Sequence, residues 1–194
     1  MKKNKISFLT QAAMIAAIYV VLTELSNVFG LSSYAIQIRF SESLTILPFF
    51  TPAAIPGLFV GCVISNLLVS ANIFDILFGS LATLIGALLT YYIGTFSRTT
   101  KQANNIASSE KSNSAPNSRL LRFKQKAAWL APIPPILSNT IIIPFILKYA
   151  YGLEPLWLFF LTVFAGEFIS CGILGMPLLF LLKKYARHIF NAQY

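Results

Sequence analysis

Five charged side chains stand in or at the ends of long apolar runs: Glu24, Arg39, Glu42, Asp75 and Glu167. An ionisable group inside such a run is costly to bury in a bilayer and marks a solute or ion path by default. With them go three amides, Gln37, Asn72 and Asn139. Carboxylates accept N–H groups and offset a cation, a guanidinium answers an anion, and an amide does either. This is chemistry of recognition. Bond-making would need a nucleophile with a base, or a ligand set for a metal. The single histidine, His188, lies in a basic tail, and no HExxH, GxSxG or GxxxxGK[ST] occurs. The chain is therefore expected to be neither an enzyme nor an ATP-binding protein, and to need no cofactor or metal.

Each candidate has a plainer role to set beside the functional one. Arg39 and Glu42 are three residues apart, so on a helix they can pair with each other instead of contacting a ligand. Glu24 is near an interface and can be solvated. Asp75 begins a helix, where an aspartate caps free N–H groups. Asn139 can bond across helices, or face a cavity opened by Pro132, Pro134, Pro135 and Pro144. Glu167 has no cap or interface to explain it; it lies about 18 Å along its helix. Asn66 and Asn72 flank the outer end of one span. Trp157, Tyr149, Tyr151 and Tyr34 suit an interfacial aromatic belt, and some can also stack on a flat ligand.

The elements that must hold these groups follow from the spacing of charge. No Asp, Glu, Lys or Arg occurs between Glu42 and Asp75, between Asp75 and Arg98, or between Lys126 and Lys148. Each gap is 21 residues or longer, enough to cross about 30 Å of hydrocarbon as a helix. Hydrophobic residues make up 56% of the chain and charged ones 11%, against about a quarter charged in soluble domains. The sequence predicts an all-α polytopic membrane protein, a single domain over 1–194 with six transmembrane helices. The spans run from Ile6 to Phe29, from Gln37 to Pro48 or Pro52, from Pro52 to Val69, from Asp75 to Phe96, from Ala127 to Tyr149 and from Glu154 to Leu182. The second is short, so it must start earlier, tilt or pack inside the bundle. The first could be mistaken for a signal sequence, but its apolar run is long for one.

The net charge of +9 reflects orientation in a membrane rather than nucleic-acid binding. Lys2, Lys3 and Lys5 precede the first span, seven basic residues lie from Arg98 to Lys126, and Lys183, Lys184 and Arg187 follow the last. Basic flanks stay cytoplasmic. Both termini and a flexible Ser/Asn-rich linker at about 97–126 are thus expected inside, and six spans satisfy that parity. Residues 119–126 suit a short amphipathic contact with anionic membrane lipids. Cys62 and Cys171 are expected to be small packing residues. Ala12, Ala13, Ala16 and Ala17 form small-residue pairs four apart, which let another helix approach closely, inside the bundle or from a partner.

The runs from Ile36 to Pro48 (IQIRFSESLTILP) and Phe50 to Cys62 (FTPAAIPGLFVGC), with FDILFG at 74–79 and AGE at 165–167, closely resemble the QueT family. The resemblance covers nearly the whole chain except the linker. It implies a substrate-binding S component of an energy-coupling factor (ECF) transporter in the plasma membrane, with a queuosine precursor as solute. It also implies a transmembrane T subunit docked on the four alanines, and two ATPase subunits that supply energy. A deazaguanine is flat, has an edge of adjacent N–H donors, and can carry an aminomethyl cation; Glu42, Asp75 and Glu167 are acceptors for both. An anionic vitamin would prefer Arg and Lys, and only Arg39 is well placed. The alternatives are a stand-alone proton-coupled carrier of a small heterocyclic solute, an S component for another vitamin, or an assembly subunit.

Overall fold

The structure is a computed structural model that describes residues 2–31, 38–69, 72–109 and 128–189, with side chains over 5–31, 38–69, 72–97 and 128–185. Among the described residues there are helices and no strands. We label them α1 (Lys2–Val28), α2 (Ala54–Val69), α3 (Ser80–Ser109), α4 (Ile133–Tyr149), α5 (Leu156–Glu167) and α6 (Gly175–Ile189). A π-helical turn, Asp75–Gly79, leads into α3, and another, Phe168–Leu174, joins α5 to α6. Among the described residues, four helical stretches are long and apolar enough to cross a membrane: Lys5–Val28, Asp75–Ser97, Ala128–Tyr149 and Leu156–Tyr185. Helix α2 is apolar but shorter, with 16 residues.

The stretch expected as the second span is a 3₁₀ helix, Phe40–Phe49, of ten residues. Long 3₁₀ runs are rare because their hydrogen bonds are poorly aligned. Here the side chains supplement them: Ser43 Oγ donates to Phe40 O and Thr45 Oγ1 to Glu42 O, each at 2.6 Å. Every residue from Ser41 to Phe50 is buried, so the irregular backbone is sheltered by protein rather than exposed to lipid. This is the packed-inside alternative. Leu44 and Leu47 join Ile15, Tyr19, Leu58 and Ala87 in one core cluster. Ile46, Phe49 and Phe50 join Ala128, Ala131 and Leu179 in a second. The segment is thus the axle of the bundle, and α3 passes so close that a Cβ on Gly94 would clash with the Phe49 backbone.

The fourth apolar stretch ends at Ser97, as expected, but α3 itself remains helical to Ser109, so the first part of the expected linker is helix. Residues 110–127, including the amphipathic stretch at 119–126, lie outside the described residues, as does Gln37.

Helices α1 and α2 meet through small residues. A Cβ on Gly57 would stand 2.7 Å from Ala12 O, and one on Gly61 would stand 2.8 Å from Tyr19 Cβ. The four alanines accordingly divide. Ala12 and Ala16 are buried against α2, whereas Ala13 and Ala17 are exposed.

Candidate functional site

The inner face of α1 changes character along its length. After Ala12 and Ala16 come Tyr19, Thr23 and Ser26, spaced i, i+4, i+7 and all buried. These hold the start of the 3₁₀ segment. Ser26 Oγ accepts from Phe40 N at 2.8 Å, and Thr23 Oγ1 lies 2.8 Å from Ser41 Oγ. Tyr19 OH donates to Glu42 Oε1 at 2.5 Å. A polar network in a low-dielectric interior is strong when satisfied and costly when not, so this stripe fixes both the rotation and the depth of Glu42.

Glu167 is brought to Glu42 from the other side. It is the last residue of α5, where the π turn begins, and such turns often occur at functional sites. Asn139 Nδ2 donates to Glu167 Oε1 at 2.8 Å. Cys171, one turn on, donates to Glu167 Oε2 at 3.4 Å and lies 3.3 Å from Glu42 O. The expected packing role for Cys171 is therefore incomplete: its thiol ties the carboxylate to the 3₁₀ backbone. Cys62 likewise accepts from Thr83 Oγ1 at 3.4 Å.

Arg39, Glu42, Gly79, Thr83, Asn139, Ile143, Val163 and Glu167 line one enclosed cavity. Its free space is about 10 Å³, room for about one water molecule; a larger solute requires the walls to part. With all groups ionised, one guanidinium faces two carboxylates, a formal charge of −1. A single uncompensated charge in such a place is expensive, so the lining favours a cationic or N–H-rich guest. Glu42 Oε2 is buried and has no hydrogen-bond partner among the described residues.

The other candidates fall around or away from this cavity. Arg39 turns its Nη1 to Asn66 Oδ1 at 3.2 Å on α2 rather than to Glu42. Asn66 passes the link on, donating to Asp75 O at 3.2 Å. Asp75 is buried beside Gly79 and accepts from Tyr151 OH at 3.3 Å. Asn72, just before Asp75, takes part in starting the turn. Its Oδ1 accepts from Phe74 N at 3.0 Å and its Nδ2 donates to Ala150 O at 3.3 Å. Both ends of that amide are thus engaged in structure. Trp157 is 64% exposed on the outer surface, consistent with an interfacial belt and remote from the cavity.

Oxygens of Glu42 and Glu167 and the Cys171 sulfur lie within 4.8 Å of one another. These are ligand types for a soft divalent ion, but as placed the thiol is a donor to its neighbours. The trio reads as a hydrogen-bonded cluster. Tyr19, Thr83 and Cys171 complete the site without having been singled out as ligand groups in sequence. The signal available for Tyr19 was the polar stripe it shares with Thr23 and Ser26 in an otherwise apolar span.

The family described as QueT transporter matches residues 9–184 of this chain. Among curated proteins, the queuosine precursor transporter QueT of Lactococcus lactis subsp. cremoris (strain MG1363) is 39% identical over 85 residues. That alignment covers 44% of this chain and 50% of the relative. No solved structure matches the chain.

Proposed function

The chain belongs to the QueT transporter family, and from that membership we propose that it is the solute-binding S component of an energy-coupling factor transporter that imports a queuosine precursor. The observation that carries the reading is the closed cavity where Arg39, Glu42, Asn139 and Glu167 converge inside an apolar bundle. Buried acceptors of this kind suit the N–H edge and aminomethyl cation of a deazaguanine. Asp75 stands beside them behind Gly79.

In this reading the four long helices, α2 and the 3₁₀ segment are six crossings of the plasma membrane. Both termini then lie in the cytoplasm, and the site opens outward. The chain has no ATP-binding loop, so a T subunit and two ATPases drive the cycle. Ala13 and Ala17, exposed on α1, are the small residues left for the T subunit to approach.

Calorimetric titration of the purified chain with aminomethyl deazaguanine, nitrile deazaguanine and queuine tests the solute. Saturable binding of at least one supports the reading, and no binding of any refutes it. Reconstitution tests the machinery, which should need ATP and the partner subunits. The proximity of the Glu42 and Glu167 oxygens also suits a proton-coupled carrier. Uptake by the purified chain alone under a proton gradient would establish that alternative.

A further inference from the structure

The two buried carboxylates of the cavity are not equivalent. Both oxygens of Glu167 are engaged, Oε1 by the Asn139 amide at 2.8 Å and Oε2 by the Cys171 thiol at 3.4 Å. Glu42 has one oxygen taken, by Tyr19 OH at 2.5 Å; the other, Oε2, is buried with no donor in hydrogen-bond geometry among the described residues, and the Asn139 amide lies near the same carboxylate. Glu42 is 1% exposed and lines the cavity, whereas Tyr19, also 1% exposed, does not. A carboxylate has about four lone-pair sites, and a buried acceptor with no protein donor aimed at it is costly. That cost persists in a folded protein where something else answers it.

We infer that Glu42 Oε2 is the acceptor this site presents to an N–H donor of the solute, that Tyr19 is the positioning residue that aims it, and that Glu167 anchors the cavity wall. The mechanism is a division of labour between two oxygens. The phenol is held by its own burial in the α1–α2 core, with Leu58 and Cys62 in the same cluster. It holds Oε1 without itself lining the cavity, and so leaves Oε2 as the oxygen that can meet a guest. The 3₁₀ backbone under Glu42 is held in place, because Glu42 O accepts from Thr45 Oγ1 at 2.6 Å. The solute donor thus meets an acceptor already oriented, which limits the ordering cost of binding.

This inference rests on the proposal that the cavity takes an N–H-rich solute, and the test separates the two. The purified full-length chain is titrated with aminomethyl deazaguanine as wild type, Glu42→Gln, Tyr19→Phe, the double variant and Glu167→Gln. Loss of a charged hydrogen bond corresponds to about ten- to a hundredfold in affinity, and that is expected for Glu42→Gln. Tyr19→Phe keeps the ring and its packing and should lose about three- to tenfold through misdirection of Glu42. The double variant should match Glu42→Gln within about twofold, because a residue acting through another has nothing further to lose. Additive losses, or wild-type affinity for Tyr19→Phe, overturn the inference and leave the functional proposal standing. No binding by the wild type removes both. Should Tyr19→Phe fail to give monodisperse protein, the comparison of the two Gln variants decides. A larger affinity loss for Glu42→Gln supports the inference, and an equal or larger loss for Glu167→Gln overturns it.

Discussion

Replacing Gly61 by Ala adds one carbon at the contact between α1 and α2, and its effect can be followed from that contact to the site. The new Cβ would stand 2.8 Å from Tyr19 Cβ and 3.1 Å from Ala16 O. Ordinary contact begins at 3.4 Å, so α1 must withdraw from α2 by about 0.6 Å at Tyr19. Overpacking of this kind costs about 1–3 kcal/mol. The same shift carries the phenol away from Glu42. A 2.5 Å bond lengthened by that amount leaves the O–H···O range of about 2.5–3.0 Å. Losing a net hydrogen bond corresponds to about 2- to 12-fold in affinity. Gly57→Ala is the control. Its Cβ meets Ala12 O at 2.7 Å, a comparable clash one helical turn away on α2 and remote from Tyr19. Both variants should melt earlier in detergent, and only Gly61→Ala should bind aminomethyl deazaguanine more weakly. Equal affinity losses in both, or wild-type affinity in Gly61→Ala, would refute the coupling between the helix contact and the site.

Three further outcomes are expected. Ala13→Trp and Ala17→Trp should abolish ATP-driven uptake while sparing solute binding, whereas Ala16→Trp should lower the yield of folded protein; co-purification with the T subunit and titration separate these. Gly79→Ala places a Cβ 3.1 Å from Asn66 Nδ2 on the cavity wall; it should weaken binding about tenfold or more with a small change in melting, as titration and a thermal melt will show. With Cys62 and Cys171 removed, cysteine at Ser109 should resist an impermeant thiol reagent in intact cells and cysteine at Gly152 should react; the reverse pattern would invert the topology.

The charge gaps made four long apolar helices legible, because a bilayer penalises every interruption in them. They also brought out Glu42, Glu167, Arg39 and Asn139, which the structure gathers around one cavity. The 3₁₀ form of Phe40–Phe49 was not legible. Its stability comes from burial between two core clusters and from Ser43 and Thr45 bonding back to carbonyls, and neither has a periodic signature. The two π turns were missed for the same reason. The structural part of Asn72 was not legible, because its bond to Ala150 O depends on the chain path between distant helices. The alanines divided because Gly57 and Gly61 claim one face of α1, a pairing visible only once α2 is placed against it.

The shortness of α2 bears on the lipid itself. Sixteen residues span about 24 Å, less than the roughly 30 Å of a typical hydrocarbon layer. Val60, Ile64, Leu67 and Leu68 on this helix are exposed and must be wetted by acyl chains. On the opposite account, Lys5–Val28 has 24 apolar-span residues, about 36 Å. If α2 is one of the proposed crossings, the bilayer is thinned beside it and thickened beside α1, at fractions of a kcal/mol per Å. An uneven hydrophobic girdle of this kind exerts a torque. On that proposal, acyl-chain length becomes a variable that bears on how the protein sits in the bilayer before any solute arrives.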